Sequence, residues 1–146
     1  MIHNNKRYPT IKQELLLKAA LLDGYSALEA WKELKIKLNI DQLDRGSFRL
    51  LPLLNRNLKN LGVDDKIMNE FKAVHRSSWY NNQILFHLTA KLLDLFHKNN
   101  IKTMVIKGAA VAIKYYQDIG LRPINDFDVL VKPDQALHAI HLLQNA

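Results

Sequence analysis

Asp126 and Asp128 are the residues whose type and spacing could do chemistry. On an extended segment, positions i and i+2 point to the same face, so the two carboxylates would stand side by side while Phe127 and Val129 turn into the opposite layer. Like charges that close repel unless a cation neutralises both. A divalent ion is the simplest such partner, and oxygen donors with no histidine or cysteine beside them favour Mg2+ or Mn2+ over zinc.

The elements upstream supply what such a metal needs for phosphate chemistry. Ile101 to Ile106 is a short apolar run that predicts a buried strand, broken at Lys107-Gly108. Ala109 to Tyr116 then resumes as a helix of small residues, whose N-terminal N–H groups are free to meet an anion, with Gly108 allowing close approach. Asp126 to Val131 predicts the strand that carries both acids.

Three segments together resemble a known family. Lys107-Gly108-Ala109-Ala110, the stretch Tyr115-Tyr116-x-Asp118-x-Gly120-x-Arg122-Pro123, and Asp126-x-Asp128-x-Leu130-Val131 resemble an uncharacterised nucleotidyltransferase family whose core looks like the DNA polymerase beta superfamily. Upstream, Leu51-Pro52-Leu53-Leu54-x-Arg56-Asn57-Leu58 is similar to a helical segment that precedes the catalytic core in those proteins. The resemblance implies that Asp126 and Asp128 are catalytic and metal-binding carboxylates, holding two Mg2+ ions (or Mn2+) for an in-line displacement at the alpha phosphorus of a nucleoside triphosphate. It also implies that Gly108 and Ala109 form the small pair at the strand–helix turn, where the superfamily more often has Gly-Gly or Gly-Ser. Lys107 and Arg122 are substrate-binding candidates by charge, since a guanidinium suits bidentate phosphate geometry.

The superfamily usually places a third carboxylate on a later strand, and none follows Val131. Lys132 to Ala146 instead carries Ala136, Leu137, Ile140 and Leu143 at helical spacing. Two strands make a marginal sheet with open edges, so the core is expected to be a shortened gene product, incomplete at the C-terminus. A partner chain or dimer completing the sheet is the other reading.

Residues 10–98 read as successive helices. Thr10 caps the first, which Asp23-Gly24 ends; Ser26 and Glu29 form a capping box for the second; Ser47 opens a third, with Leu51, Leu54 and Leu58 on one face, closed by Gly62. Asp64 or Asp65 caps a long helix whose apolar positions include Phe71, Tyr80, Ile84, Leu88, Leu92 and Phe96, ended by Asn99-Asn100. Trp31 and Trp79-Tyr80 are read as core rather than as stacking platforms, and His138 and His141 as surface residues rather than ligands.

Composition bounds the answer without sharpening it. The 146 residues, 48% hydrophobic and 24% charged, are enough for one ordinary domain core, and the absence of cysteine excludes disulfides and thiolate metal sites. The net charge of +7 fits solvated helix faces, such as Lys32, Lys35 and Lys37, better than a polyanion-binding patch. With no apolar leader or spanning run, a cytoplasmic protein with no membrane partner is expected.

The chain is therefore read as α+β, with an N-terminal helical region (1–98) packed on a partial polymerase beta-like nucleotidyltransferase core (99–146) that holds a small mixed sheet. Its expected substrate is a nucleoside triphosphate, and its acceptor is a hydroxyl on a protein, a small molecule or an RNA end. The rival reading is a non-catalytic nucleotide-binding or protein-interaction module that keeps the turn and the aspartates alone.

Overall fold

Helix ends account for much of how this chain folds. The computed structural model describes residues 8–145. Contacts gather into two compact units, Met1–Arg76 and Ser77–Ala146, and the division falls inside a single long helix.

In the first unit, α1 (Ile11–Leu21) starts at a reciprocal cap, where the Thr10 hydroxyl accepts from the Gln13 N–H and the Gln13 side chain accepts from the Thr10 N–H. The second helix, α2 (Gly24–Lys37), begins two residues earlier than the Ser26 signal predicts. Gly24 takes a φ of 59°, which turns the chain into the helix and leaves Ser26 inside it. After a 3-10 turn at Ile40–Gln42 comes a short helix, α3 (Arg45–Phe48), and then α4 (Leu51–Asn60) with Pro52 in its first turn.

Ser47 does not open that segment; Asp44 does. Its carboxylate accepts from the N–H groups of Gly46 and Ser47 and from the Ser47 hydroxyl at 2.6 Å. The Ser47 hydroxyl, then the Ser47 N–H and the Gln13 amide, hold the Asp44 carboxyl well below the usual carboxylate range. A depressed folded value stabilises above the ordinary value of 3.8 and is lost as pH falls through the folded one. Asp44→Ala is expected to cost about 1 kcal/mol at neutral pH, read by urea titration, with the difference from wild type shrinking in acid.

The core of this unit contains Leu16, Leu34, Leu51, Leu54, Leu58 and Phe71, all buried, with Trp31 edge-on to Phe71 at 5.9 Å between ring centroids. Gly62, at a φ of 75°, closes α4: the Val63 N–H reaches back to the Leu58 carbonyl and the Gly62 N–H to that of Lys59. Asp65, expected with Asp64 as a candidate cap for the next helix, takes a salt bridge from Lys35 at 2.9 Å.

Helix α5 (Met68–Lys98) carries the chain into the second unit. It ends as α4 does, with Asn100 at a φ of 56°, the Ile101 N–H on the Phe96 carbonyl and the Asn100 N–H on that of His97. Ile101 then packs on Phe96 with Ala139, Leu92, Val131 and Leu142. Strand β1 (Thr103–Ile106), helix α6 (Lys107–Tyr115), a 3-10 turn at Ile119–Leu121, strand β2 (Asp128–Val131), a 3-10 turn at Pro133–Gln135 and helix α7 (Ala136–Gln144) complete the unit.

The fold class is α+β, mostly helical. Where a mixed sheet was expected, the described residues hold an antiparallel pair, with Thr103 opposite Val131 and Ile106 opposite Asp128. One face packs inward through Val105 and Val131. The other leaves Met104 64% and Leu130 52% exposed, so β1 is not the buried strand its apolar run predicted.

Two helices bury other residues than their apolar pattern suggests. In α7, Leu137, Ile140 and Leu143 are exposed and Ala139 is the buried contact, its small side chain fitting against Phe96 and Ile101. Along α5, Trp79, Tyr80, Ile84 and Leu88 are exposed while Ser78, Asn82 and Thr89 are buried. No helix among the described residues is long and apolar enough to cross a membrane.

Candidate functional site

The site is built where β1 turns into α6. Lys107 takes a φ of 54°, the left-handed conformation that costs a side chain most where Cβ meets the following carbonyl. Gly108 was expected to allow close approach at this turn, and the left-handed angle falls on the residue before it, Lys107. No side chain caps α6, whose N-cap position is Ile106, so its leading N–H groups keep their partial positive charge without a side-chain acceptor.

Lys107 and the aspartates meet across the sheet end. Asp128 is the first residue of β2, opposite Ile106, and the Lys107 ammonium donates to its Oδ1 at 2.8 Å. That hydrogen bond first, then the charge of Asp128 and more weakly that of Asp126, hold the Lys107 ammonium above its ordinary pKa of 10.5. A raised folded value stabilises below 10.5 and is lost as pH climbs through it, so Lys107 is fully charged at neutral pH. The pair is open to solvent, with the Lys107 side chain 68% exposed and that of Asp128 34%, and adds little to stability.

Asp126 lies outside the strand, in the extended segment before it, and is exposed. Phe127 between the acids turns inward as expected, edge-on to Phe86 at 5.4 Å and packed with Ala109, Ala112 and Ile124. Ala109 is thus a buried packing residue of α6 as well as a turn residue.

Arg122 comes to the same turn from the 119–124 segment. A Cβ placed on Gly108 would lie 3.9 Å from Arg122 Nη2 and 4.0 Å from Nε, which is ordinary contact; the glycine leaves that side of the guanidinium uncovered. Arg122 Nε is buried and has no hydrogen-bond partner. A buried donor left unmade is costly, and such a donor at a lysine-bearing turn suits an anion.

The arrangement thus brings Lys107, Gly108, Ala109, Arg122 and Asp128 to one turn, with Asp126 two residues before the strand. Sequence reasoning missed Asn82, whose amide on α5 is buried and bonded to the Arg122 segment. The signal for it was an asparagine between polar neighbours on a helix, which reads as surface. No group of three or more His, Cys, Asp or Glu side chains that could hold a metal occurs among the described residues.

The strain at Lys107 is testable apart from any chemistry. Lys107→Ala and Lys107→Gly both delete the ion pair, but only glycine adopts the left-handed angle freely. The glycine variant is expected to melt higher than the alanine variant by calorimetry.

No curated protein and no solved structure matches the chain. A family model described as an uncharacterised nucleotidyltransferase matches residues 47–146, from within α3 through the site to α7. That match covers more than half of the chain, so the protein belongs to the uncharacterised nucleotidyltransferase family.

Proposed function

We propose that this protein moves a nucleoside monophosphate from a nucleoside triphosphate to a hydroxyl acceptor, on a core of polymerase beta type of which β1, α6 and β2 are part. The observation that carries the reading is the Lys107–Asp128 pair, at 2.8 Å, at a turn where the unpartnered Arg122 Nε also lies.

The residues fit Mg2+ or Mn2+. Their donors are carboxylate oxygens, Asp126 is exposed, and Asp128 already pairs with the Lys107 ammonium. Asp126 and Asp128 would hold the divalent ions, which when bound neutralise the triphosphate and stabilise charge developing at the alpha phosphorus. Lys107 releases Asp128 and donates its ammonium to a phosphate oxygen, while Arg122 directs Nε to another. The uncapped N–H groups of α6 favour the same negative charge. In the transfer the acceptor oxygen bonds to the alpha phosphorus, the bond from that phosphorus to the bridging oxygen breaks, pyrophosphate leaves with the electron pair, and the hydroxyl proton passes to solvent.

The test supplies each of the four nucleoside triphosphates, labelled at the alpha phosphate, with magnesium or manganese and with protein, small-molecule and RNA acceptors. Label in an acceptor, matched by released pyrophosphate, is the expected result. Nucleotide binding with no pyrophosphate release from any combination would overturn transfer and leave the binding-module reading.

A further inference from the structure

Asn82 stands out because a buried stripe along a helix should be apolar, and here it holds a primary amide that is 1% exposed. All of its hydrogen-bonding groups are engaged. The amide nitrogen donates to the Ile119 carbonyl at 2.6 Å and to the Arg122 carbonyl at 2.8 Å, and the amide oxygen accepts from the Ile124 N–H at 3.1 Å. These three bonds span the 119–124 segment and bracket Arg122 on both sides.

The rest of that segment is stiff. Pro123 has a fixed φ and no N–H to offer. Ile124 is buried against Ala109 and Ala112, on the helix that begins at the Gly108 turn. The backbone of Arg122 is therefore tied to α5 through Asn82 and to α6 through Ile124, and its side chain lies beside Gly108. An apolar residue at 82 would strand two carbonyls and an N–H, so the amide is what allows this segment to pack here.

We propose that Asn82 is a positioning residue: its buried amide fixes the Ile119–Ile124 segment so that the Arg122 guanidinium is aimed at the Gly108 turn, where the triphosphate binds. This role rests on the nucleotidyltransferase reading given above. A residue that acts through Arg122 loses its effect once Arg122 is gone, whereas a residue of purely structural value does not.

The experiment uses the full chain, with inorganic tripolyphosphate and magnesium as the calorimetric probe and amide hydrogen exchange as a second readout. Asn82→Ala removes both donors and the acceptor and is the variant read by both measurements, while Asn82→Asp, which keeps the shape and the acceptor of the Ile124 N–H but removes both donors, is a second variant for affinity alone. The expected results are an affinity about tenfold lower in the Asn82 variant, and a double variant with Arg122→Ala that binds no worse than Arg122→Ala alone. Exchange at the Ile124 amide should accelerate at least about tenfold while the Val105 and Leu130 amides keep wild-type rates. An additive double variant, or unchanged exchange at Ile124, overturns the role of Asn82. Equal affinity of wild type and Arg122→Ala, or no binding by wild type, instead overturns the phosphate-binding reading, and accelerated exchange at Ile124 then identifies Asn82 as a structural clamp only.

Discussion

Asp128→Asn is expected to lower nucleotidyl transfer by about a thousandfold while the protein stays folded. Asparagine keeps the volume and one carbonyl oxygen, so Lys107 still finds an acceptor and the Ile106 to Asp128 register of the sheet is unaffected. What disappears is the charge. In the apo protein that charge is paired with a largely exposed ammonium, and exposed pairs contribute little, so the melting temperature should not move. In the proposed transfer the same charge would hold the ions that neutralise the triphosphate, and a developing charge stabilised at short range is worth far more than an exposed pair. Asp126→Asn should fall in the same way, although Asp126 acts on Lys107 more weakly. Initial rates of label transfer and pyrophosphate release at saturating triphosphate measure the effect. If Asp128→Asn keeps a rate within tenfold of wild type, the acid is not part of the reacting centre.

Local signals and long-range ones differed in how far the sequence revealed them. Thr10 with Gln13, Gly62 and Asn100 each mark a helix end in the sequence, because a cap or a left-handed residue satisfies backbone groups within a few positions. The turn at Lys107-Gly108 and the inward turn of Phe127 were legible for the same reason. Apolar spacing predicted burial correctly for Leu51, Leu54, Leu58, Phe71 and Phe96 and failed in the middle of α5 and in α7. Tyr80, Ile84 and Leu88 form a regular stripe on α5, yet the helix buries Ser78, Asn82 and Thr89. The choice of face was made by the backbone of 119–124, far away in sequence, whose carbonyls need donors that only Asn82 supplies. Hydrophobic periodicity contains no term for such a demand. Places where a helix breaks the apolar rule are where a site is being held in shape.

That reasoning also explains why α5 belongs to the chemistry. The family match begins at residue 47 and takes in the whole of α5, not only the strand–turn–helix with its two acids. A helix that merely covered a sheet could exchange its buried residues for leucines. One that fixes the backbone beside Arg122, the proposed phosphate ligand, cannot.

Arg122→Ala is expected to reduce affinity for triphosphate by about a hundredfold, with Arg122→Lys recovering only part of the loss. Nε of Arg122 is buried without an acceptor, so the free protein carries the cost of a donor removed from water and left unmade. Truncation to alanine removes that cost along with the aliphatic stem, and the apo protein should melt no lower than wild type. Binding behaves oppositely, because an oxyanion at the Gly108 turn supplies the missing acceptor and a charge-assisted bond in a partly buried place is among the stronger polar contacts. Lysine restores the positive charge but has no nitrogen at the Nε position, so it contributes attraction without that bond, and its remaining affinity should fall more steeply with added salt. Calorimetric titration with tripolyphosphate and magnesium at two ionic strengths separates the two contributions. A lysine variant that binds as wild type at both would show that Arg122 acts through charge alone. An alanine variant that binds as wild type would remove it from the site.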